Sequence, residues 1–212
     1  APRMSGCEKK NLIPVNNGIF DFETKKLMPF TPDLVFLDKS RVNYNPNATN
    51  IIIHNDEDGT DWDVESWILD IMDNKKDMAE LIWQVIGATV RPFVSWNRAC
   101  FMYSEVGNNG KGTLCVLLRN LVGEGSHTSI SLSEFSKDFM LESLIGTSAI
   151  IVDENDVGTY IDKAANLKAV ITGDTIQINR KFKAPISFKF KGFMVQCLNE
   201  MPRVKDKSDS FY

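Results

Sequence analysis

Histidine, close-set cysteines, a surplus of basic charge and long apolar runs are what this sequence has little of. The two histidines, His54 and His127, show no partner for metal or acid–base chemistry and are expected to be structural. The four cysteines, Cys7, Cys100, Cys115 and Cys197, have neither close pairing nor metal-ligand spacing. Three of them lie inside apolar runs, as buried thiols of a reducing cytosol do. No apolar run approaches the roughly 20 residues that span a bilayer, and no signal peptide is visible. Lys and Arg number 24 against 28 Asp and Glu, for a net charge of -4 and a pI of 5.3. That balance excludes a protein that coats nucleic acid by bulk charge, but not a local basic loop. With 43% hydrophobic and 25% charged residues in 212, the chain is not disordered and can bury one good core plus a smaller appendage. Its opening Ala1-Pro2-Arg3, without an initiator Met, is expected of an excised fragment.

What is there centres on residues 100 to 113. The apolar run Cys100-Phe101-Met102-Tyr103 reads as a strand. It breaks into Ser104-Glu105-Val106 and the loop Gly107-Asn108-Asn109-Gly110, then Lys111-Gly112-Thr113 and a helical pattern on Leu114, Leu117, Leu118 and Leu121. Strand, glycine loop, lysine and helix, in that order, is the context of a phosphate loop. Glycines let backbone N–H groups close around an anion, Lys111 brings charge to the outer phosphates, and the helix start adds unpaired N–H groups. Two positions depart from the generic pattern. Glu105 stands where its first glycine belongs, and Gly112 takes the hydroxyl position after the lysine, with Thr113 one place later.

Upstream, residues 13 to 30 read as a hairpin, with arms at 18–22 and 27–30 and a turn over 23–26. Pro29 limits the second arm to an edge strand, and prolines and asparagines mark irregular structure through Asn50. His54-Asn55-Asp56-Glu57-Asp58-Gly59 fits a calcium loop at several positions. A histidine as first ligand and a β-branched run before it favour an acidic turn opening a helix, with Asp61 or Asp63 at its start. Two amphipathic helices follow, one on Val64, Trp67, Ile68, Ile71 and Met72, the other on Met78, Leu81, Ile82, Val85 and Ile86.

Beyond the phosphate-loop helix, 128–130 reads as a short strand. A helix capped by Ser131 or Ser133 should then carry Phe135, Phe139, Leu141 and Leu144 and end at Gly146. The run Ala149-Ile150-Ile151-Val152 delivers Asp153 and Glu154 at the end of a buried strand, as a magnesium-nucleotide site requires. Asp153 suits Mg²⁺ and Glu154 suits activation of water. Residues 161–172 read as a helix stopped by Gly173. Two-residue alternation then flanks the basic tip Arg180-Lys181-Phe182-Lys183-Ala184-Pro185, which suits a nucleic-acid backbone with Phe182 free to stack or wedge, or else a solvated charged turn. A last strand, 193–198, ends in Asn199, which suits a γ-phosphate contact or an ordinary strand end.

Together these segments resemble the superfamily 3 helicases, specifically the helicase half of phage and plasmid primase–helicase proteins. The resemblance extends over Val15–Asp21 and Tyr44–Ala48, the asparagine-containing loop Gly107–Thr113, Asp153-Glu154, the stretch from Gly173 to Pro185, and Asn199-Glu200-Met201-Pro202-Arg203. It implies an α/β AAA+-type P-loop domain with a mainly parallel central sheet and a small N-terminal α/β collar. The expected divisions are 1–60 for the collar, 61–97 for a helical segment and 98–212 for the ATPase core. The implied cofactors are ATP and Mg²⁺. Gly107, Asn108, Asn109, Gly110, Lys111, Gly112 and Thr113 would bind nucleotide, and Thr113 and Asp153 the metal. Glu154 would be the general base, Lys111 a phosphate anchor and Asn199 the γ-phosphate sensor. Arg180, Lys181, Phe182 and Lys183 would contact single-stranded DNA in the pore of a homo-oligomeric ring, a hexamer in this family. The resemblance also implies 3′ to 5′ travel, a primase domain or other replication proteins as partners, and work in the cytoplasm of a bacterial host. An arginine finger is expected just after Asp209-Ser210-Phe211-Tyr212. The alternatives are an initiator that uses ATP only to assemble, and a small-molecule kinase, since Gly-Lys-Gly-Thr also occurs in nucleoside monophosphate kinases.

Overall fold

The computed structural model describes residues 6–37, 39–161 and 163–205. The segment before the expected arginine finger therefore lies outside the described residues.

The N-terminal part is an antiparallel meander of β1 (Leu12–Val15), β2 (Gly18–Asp21) and β3 (Lys26–Met28). The hairpin expected at 18–30 is present as β2 and β3, with β1 added on the far side of β2. Pro14 sits opposite Ile19 in β1, an edge strand, where a missing N–H is tolerated. Irregular chain leads to the small hairpin β4 (Ile53–His54) and β5 (Asp61–Trp62). His54 Nδ1 lies 2.7 Å from Asp61 Oδ1 across that hairpin. Among the described residues up to position 60 every regular element is a strand, so the expected collar is β rather than α/β there.

Helix α1 (Val64–Ile71) is capped by Asp63, whose carboxylate accepts from the Ser66 backbone N–H at 2.8 Å. Helix α2 (Lys76–Thr89) follows. Then come β6 (Cys100–Tyr103), α3 (Lys111–Val122), β7 (His127–Thr128), β8 (Ala149–Val152), β9 (Tyr160–Ile161), α4 (Ala165–Thr172), β10 (Thr175–Arg180), β11 (Lys183–Lys189), β12 (Phe193–Leu198) and β13 (Arg203–Val204).

The central sheet is wholly parallel, in the order β6-β12-β8-β7. Its core strands are apolar except for Gln196 of β12, as suits strands covered on both faces. Ala149, Ile151, Val195 and Cys197 pack against α1, α2 and α3 through Ile68, Ile82, Val85, Leu114 and Leu118. Ile150, Val152, Met194 and Leu198 face the other way, onto Ile130, Phe135, Leu144, Leu167, Ile176 and Ile178. The chain enters the sheet at β6, crosses to the opposite edge at β7, and returns through β8 to place β12 beside β6. At Gly192, just before β12, an added Cβ would lie 2.0 Å from the Ser148 carbonyl oxygen, so the two chains meet there only because the side chain is absent.

Three sequence expectations are corrected. The helix expected from 132 to 144 is two short 3₁₀ turns, Leu132–Glu134 and Met140–Leu144. Phe139 between them has φ 66°, a left-handed conformation that no helix interior accommodates. Ser131 does cap the first turn, in a capping box with Glu134. The helix expected from 161 starts at Ala165, because Tyr160–Ile161 is a strand paired with β13. The short strand expected at 128–130 is His127–Thr128.

The chain that follows the meander docks near the far end of α3. The Ser40 hydroxyl donates to the Leu121 carbonyl, and Arg41 Nη2 lies 3.1 Å from Glu124 Oε2. The Arg91 guanidinium sits 4.1 Å from the Phe22 ring centre and 5.4 Å from that of Trp96, joining meander and core through cation–π contact.

Candidate functional site

The C-terminal ends of parallel strands and the N-terminus of the helix that follows one of them meet at one edge of an α/β sheet, where ligands of such sheets bind. Here that edge is built by β6, β12 and β8 with α3. The turn between β6 and α3 demands unusual backbone. Asn108 has φ 56° and Gly110 φ 84°. At Gly110, a Cβ would also lie 2.9 Å from the Ile71 side chain, so glycine is needed for conformation and for space. The Asn109 amide donates to the Val106 carbonyl, and its Oδ1 accepts from the Lys111 N–H at 3.4 Å. This asparagine thus holds the loop from inside. Gly107, Gly112 and Thr113 are exposed, with Gly112 and Thr113 in the first turn of α3.

Lys111 is half-buried and turned toward the strand ends. Its Nζ donates to the Ser104 carbonyl at 3.1 Å and to Asn199 Oδ1 at 2.9 Å. Leu198 pairs with Tyr103, which brings Asn199 alongside Ser104. Lysine and asparagine, far apart in the chain, are therefore joined by the insertion of β12 next to β6.

Asp153 and Glu154 follow β8, whose Val152 pairs with Gln196 of β12. Both acids are exposed. Asp153 is gripped by Arg119 of α3: Nη1 donates to Oδ2 at 2.8 Å, Nη2 to Oδ1, and the same Nη2 reaches the Ile151 carbonyl at 3.3 Å. The Asp153 carboxylate keeps Arg119 firmly protonated, raising its pKa further. Hard oxygen donors at Asp153 and Thr113 suit Mg²⁺. Arg119 already takes up both carboxylate oxygens, so a metal's water rather than the ion itself is the better fit to Asp153.

Beneath the loop, Cys115 and Cys197 touch at 3.4 Å between sulfurs. That contact and burial hold the Cys115 thiol protonated, and burial pushes Cys100 up to about 11. Cys115 and Cys100 are packing groups rather than nucleophiles, while the hydrogen bond from Cys115 lowers the pKa of Cys197. Among the described residues no set of three or more His, Cys, Asp or Glu side chains is arranged to hold a metal. No helix among them is long and apolar enough to cross a membrane.

The basic tip forms as expected but is tighter. Arg180 pairs with Lys183, leaving Lys181 and Phe182 as the turn. Phe182 adopts φ 59° and is 95% exposed. Arg180 donates through Nε and Nη2 to the Ala184 carbonyl, at 3.0 and 2.8 Å, and so shapes the hairpin. Lys181 Nζ stands 5.4 Å from the Phe182 ring centre.

A family model described as "Family of unknown function (DUF5906)" matches residues 102–210, just over half of the chain. The chain belongs to this family. The DUF5906 stretch takes in the end of β6, the glycine loop, Asp153, Glu154, the basic hairpin and Asn199. Ahead of it, a model described as "D5 N terminal like" matches residues 5–73, the meander through α1. No curated protein matches the chain. Among solved structures, "The apo structure of NrS-1 C terminal region (305-718)" is similar with a TM-score of 0.52 at 16% identity, over 78% of this chain and 44% of that one. "The A form apo structure of NrS-1 C terminal region-CTR" gives 0.48 at 20% identity, over 79% of this chain and 43% of that one. This DUF5906 member thus spans less than half of the structures it resembles, and at such identity the likeness concerns the fold alone.

Four residues of the site in this family member escape a reading of its sequence. Ser104 acts through its carbonyl, which no side-chain pattern signals. Arg119 is the one basic residue of α3 after Lys111, a signal that is present but weak. Asn155, directly after the acidic pair, and Gln196, a lone amide inside an apolar strand, are both buried. Such a misfit in an apolar run is the sign that a partner must exist.

Proposed function

We propose that this chain binds ATP with Mg²⁺ and is the motor portion of a DNA helicase that serves replication of a phage, plasmid or other mobile element in a bacterial cytoplasm. The observation that carries the reading is the convergence of Lys111, the glycine loop and Asn199 at the C-terminal edge of a parallel sheet. In this reading the free N–H groups at the start of α3 and the Lys111 ammonium take the phosphates. Lys111 exchanges its bond to Ser104 for the outer phosphates. Asn199, already beside it, then lies within reach of the terminal phosphate. Thr113 would offer oxygen to Mg²⁺ and Asp153 would hold one of its waters; the ion, when bound, neutralises phosphate charge. Glu154 accepts a proton from the attacking water.

Lys181, Phe182 and Lys183 form the contact to single-stranded DNA, the lysines on phosphates and Phe182 on a base. Subunits assemble as a ring, a hexamer by the resemblance, with a neighbouring arginine completing each nucleotide site. A primase domain or another replication protein is the expected partner. The exposed basic and aromatic hairpin favours a polymer partner over a small acceptor, which sets this reading above a nucleoside monophosphate kinase.

The test is ATP-dependent unwinding of a forked duplex by the intact protein. Unwinding lost in Lys111→Ala supports the reading. ATP-dependent assembly on DNA without strand separation replaces it with the initiator reading, and phosphoryl transfer to a nucleoside monophosphate replaces it with a kinase.

A further inference from the structure

Two buried amides lie on the strand and loop that lead to the nucleotide edge. Gln196 is fully buried and Asn155 is 4% exposed. Gln196 lies on β12 between Met194 and Leu198, on the sheet face that is otherwise apolar. A primary amide there costs stability unless every donor and acceptor finds a partner. Here they do. Gln196 Nε2 donates to the Ile130 carbonyl at 2.9 Å, and its Oε1 accepts from Asn155 Nδ2 at 2.9 Å. Asn155 Nδ2 also reaches the Cys197 carbonyl at 3.0 Å, and its Oδ1 accepts from the Leu132 N–H at 2.9 Å. Three chain segments are tied together by these bonds: the turn after β7, the loop after β8, and β12 itself.

We propose that the Asn155–Gln196 pair is a positioning device that holds Glu154 in register with Asn199. This rests on the role of Glu154 and Asn199 given under Proposed function. Glu154 is the residue before Asn155, and Asn199 is three residues after Gln196. Glu154 stands on an exposed loop between β8, which ends at Val152, and β9, which starts at Tyr160. Apolar residues of the same size would fill the space but would fix neither backbone direction nor register. Hydrogen bonds from the two side chains, which together join three segments, fix both. A displacement of about 1 Å in a catalytic group costs on the order of a hundredfold in rate. The two amides therefore act on turnover through Glu154 and leave the phosphate grip of Lys111 untouched.

The experiment uses the intact protein with Asn155→Ala, Gln196→Met and the exchange variant Asn155→Gln/Gln196→Asn, which keeps an amide pair of the same total length. ATP affinity, kcat, KM and thermal midpoint are measured for each. The expected result is ATP affinity and KM within about twofold of wild type and kcat lowered at least about tenfold in both single variants. The exchange variant is expected to recover kcat to within about threefold. Gln196→Met keeps the core filled, so it stays informative should Asn155→Ala fail to fold. Wild-type kcat in folded Gln196→Met overturns the positioning role while leaving the nucleotide site standing. A loss of ATP affinity in step with thermal midpoint assigns the pair to folding alone and also overturns it. A wild-type protein that binds no ATP overturns the parent reading and this one together.

Discussion

Lys111 at the start of α3 donates to Asn199 at the end of β12 across 2.9 Å, although 88 positions separate them. The bond costs Lys111 little, because a carbonyl and an amide oxygen solvate an ammonium without neutralising it, and the charge stays available to a phosphate. In Asn199→Ala, ATP affinity is expected to stay within about threefold while hydrolysis falls at least about tenfold, as removal of a polar contact made mainly in the transition state does. Parallel titration and steady-state rates check this. A loss confined to affinity assigns Asn199 to ground-state binding instead.

The hairpin between β10 and β11 exposes Lys181 and Phe182 and anchors Arg180 on its own backbone. Each phosphate contact to single-stranded DNA contributes about 0.7 to the slope of log K against log salt. Lys181→Ala with Lys183→Ala is therefore expected to reduce the slope magnitude by about 1.4, whereas Phe182→Ala weakens binding at every salt concentration with the slope unchanged. An unchanged slope in the double variant returns the hairpin to a solvated turn.

Asp63 carries the start of α1. The Asn50 amide, donating at 2.6 Å, and the Ser66 N–H depress its pKa from the usual 3.8 to about 2. A carboxylate depressed in the folded state adds stability above pH 3.8, and that contribution is lost as pH falls through about 2. Asp63→Asn keeps a capping oxygen that does not titrate. Its thermal midpoint is expected to fall less between pH 4 and 2 than that of wild type. Superimposable pH profiles contradict the role given to this carboxylate.

Gly192 marks where β12 passes against the chain entering β8. A methyl group there meets the Ser148 backbone oxygen at 2.0 Å, which no side-chain movement relieves. Gly192→Ala is expected to destabilise the fold by about 3 kcal/mol, at the upper end for overpacking. Chemical denaturation measures this, and a midpoint equal to wild type refutes the close approach.

The strands beside the site could be read from the chain because their runs are mostly apolar and end in residues of another kind: Tyr103 before a glycine loop, Val152 before two acids, Leu198 before Asn199. Periodicity also found α1, α2 and α3, since each buries one stripe. It failed where tertiary contacts decide. Residues 132–144 carry a helical spacing, yet Phe139 turns left-handed and splits it. Tyr160–Ile161 is a strand only because β13 comes to lie beside it. The pairing of Lys111 with Asn199 needed strand order, which no local pattern contains. Arg119 on Asp153, and Gln196 on Asn155, join residues 34 and 41 positions apart and became visible only once β8, β12 and α3 were assembled.

The most direct measurement is ATP binding to the intact protein, by calorimetry with Mg²⁺ present, for wild type and Lys111→Ala. Saturable binding to wild type, weakened at least about a hundredfold in a variant that melts at the same temperature, is what a phosphate grip by this lysine predicts. Equal affinity in the two proteins, or no binding to wild type, would contradict it.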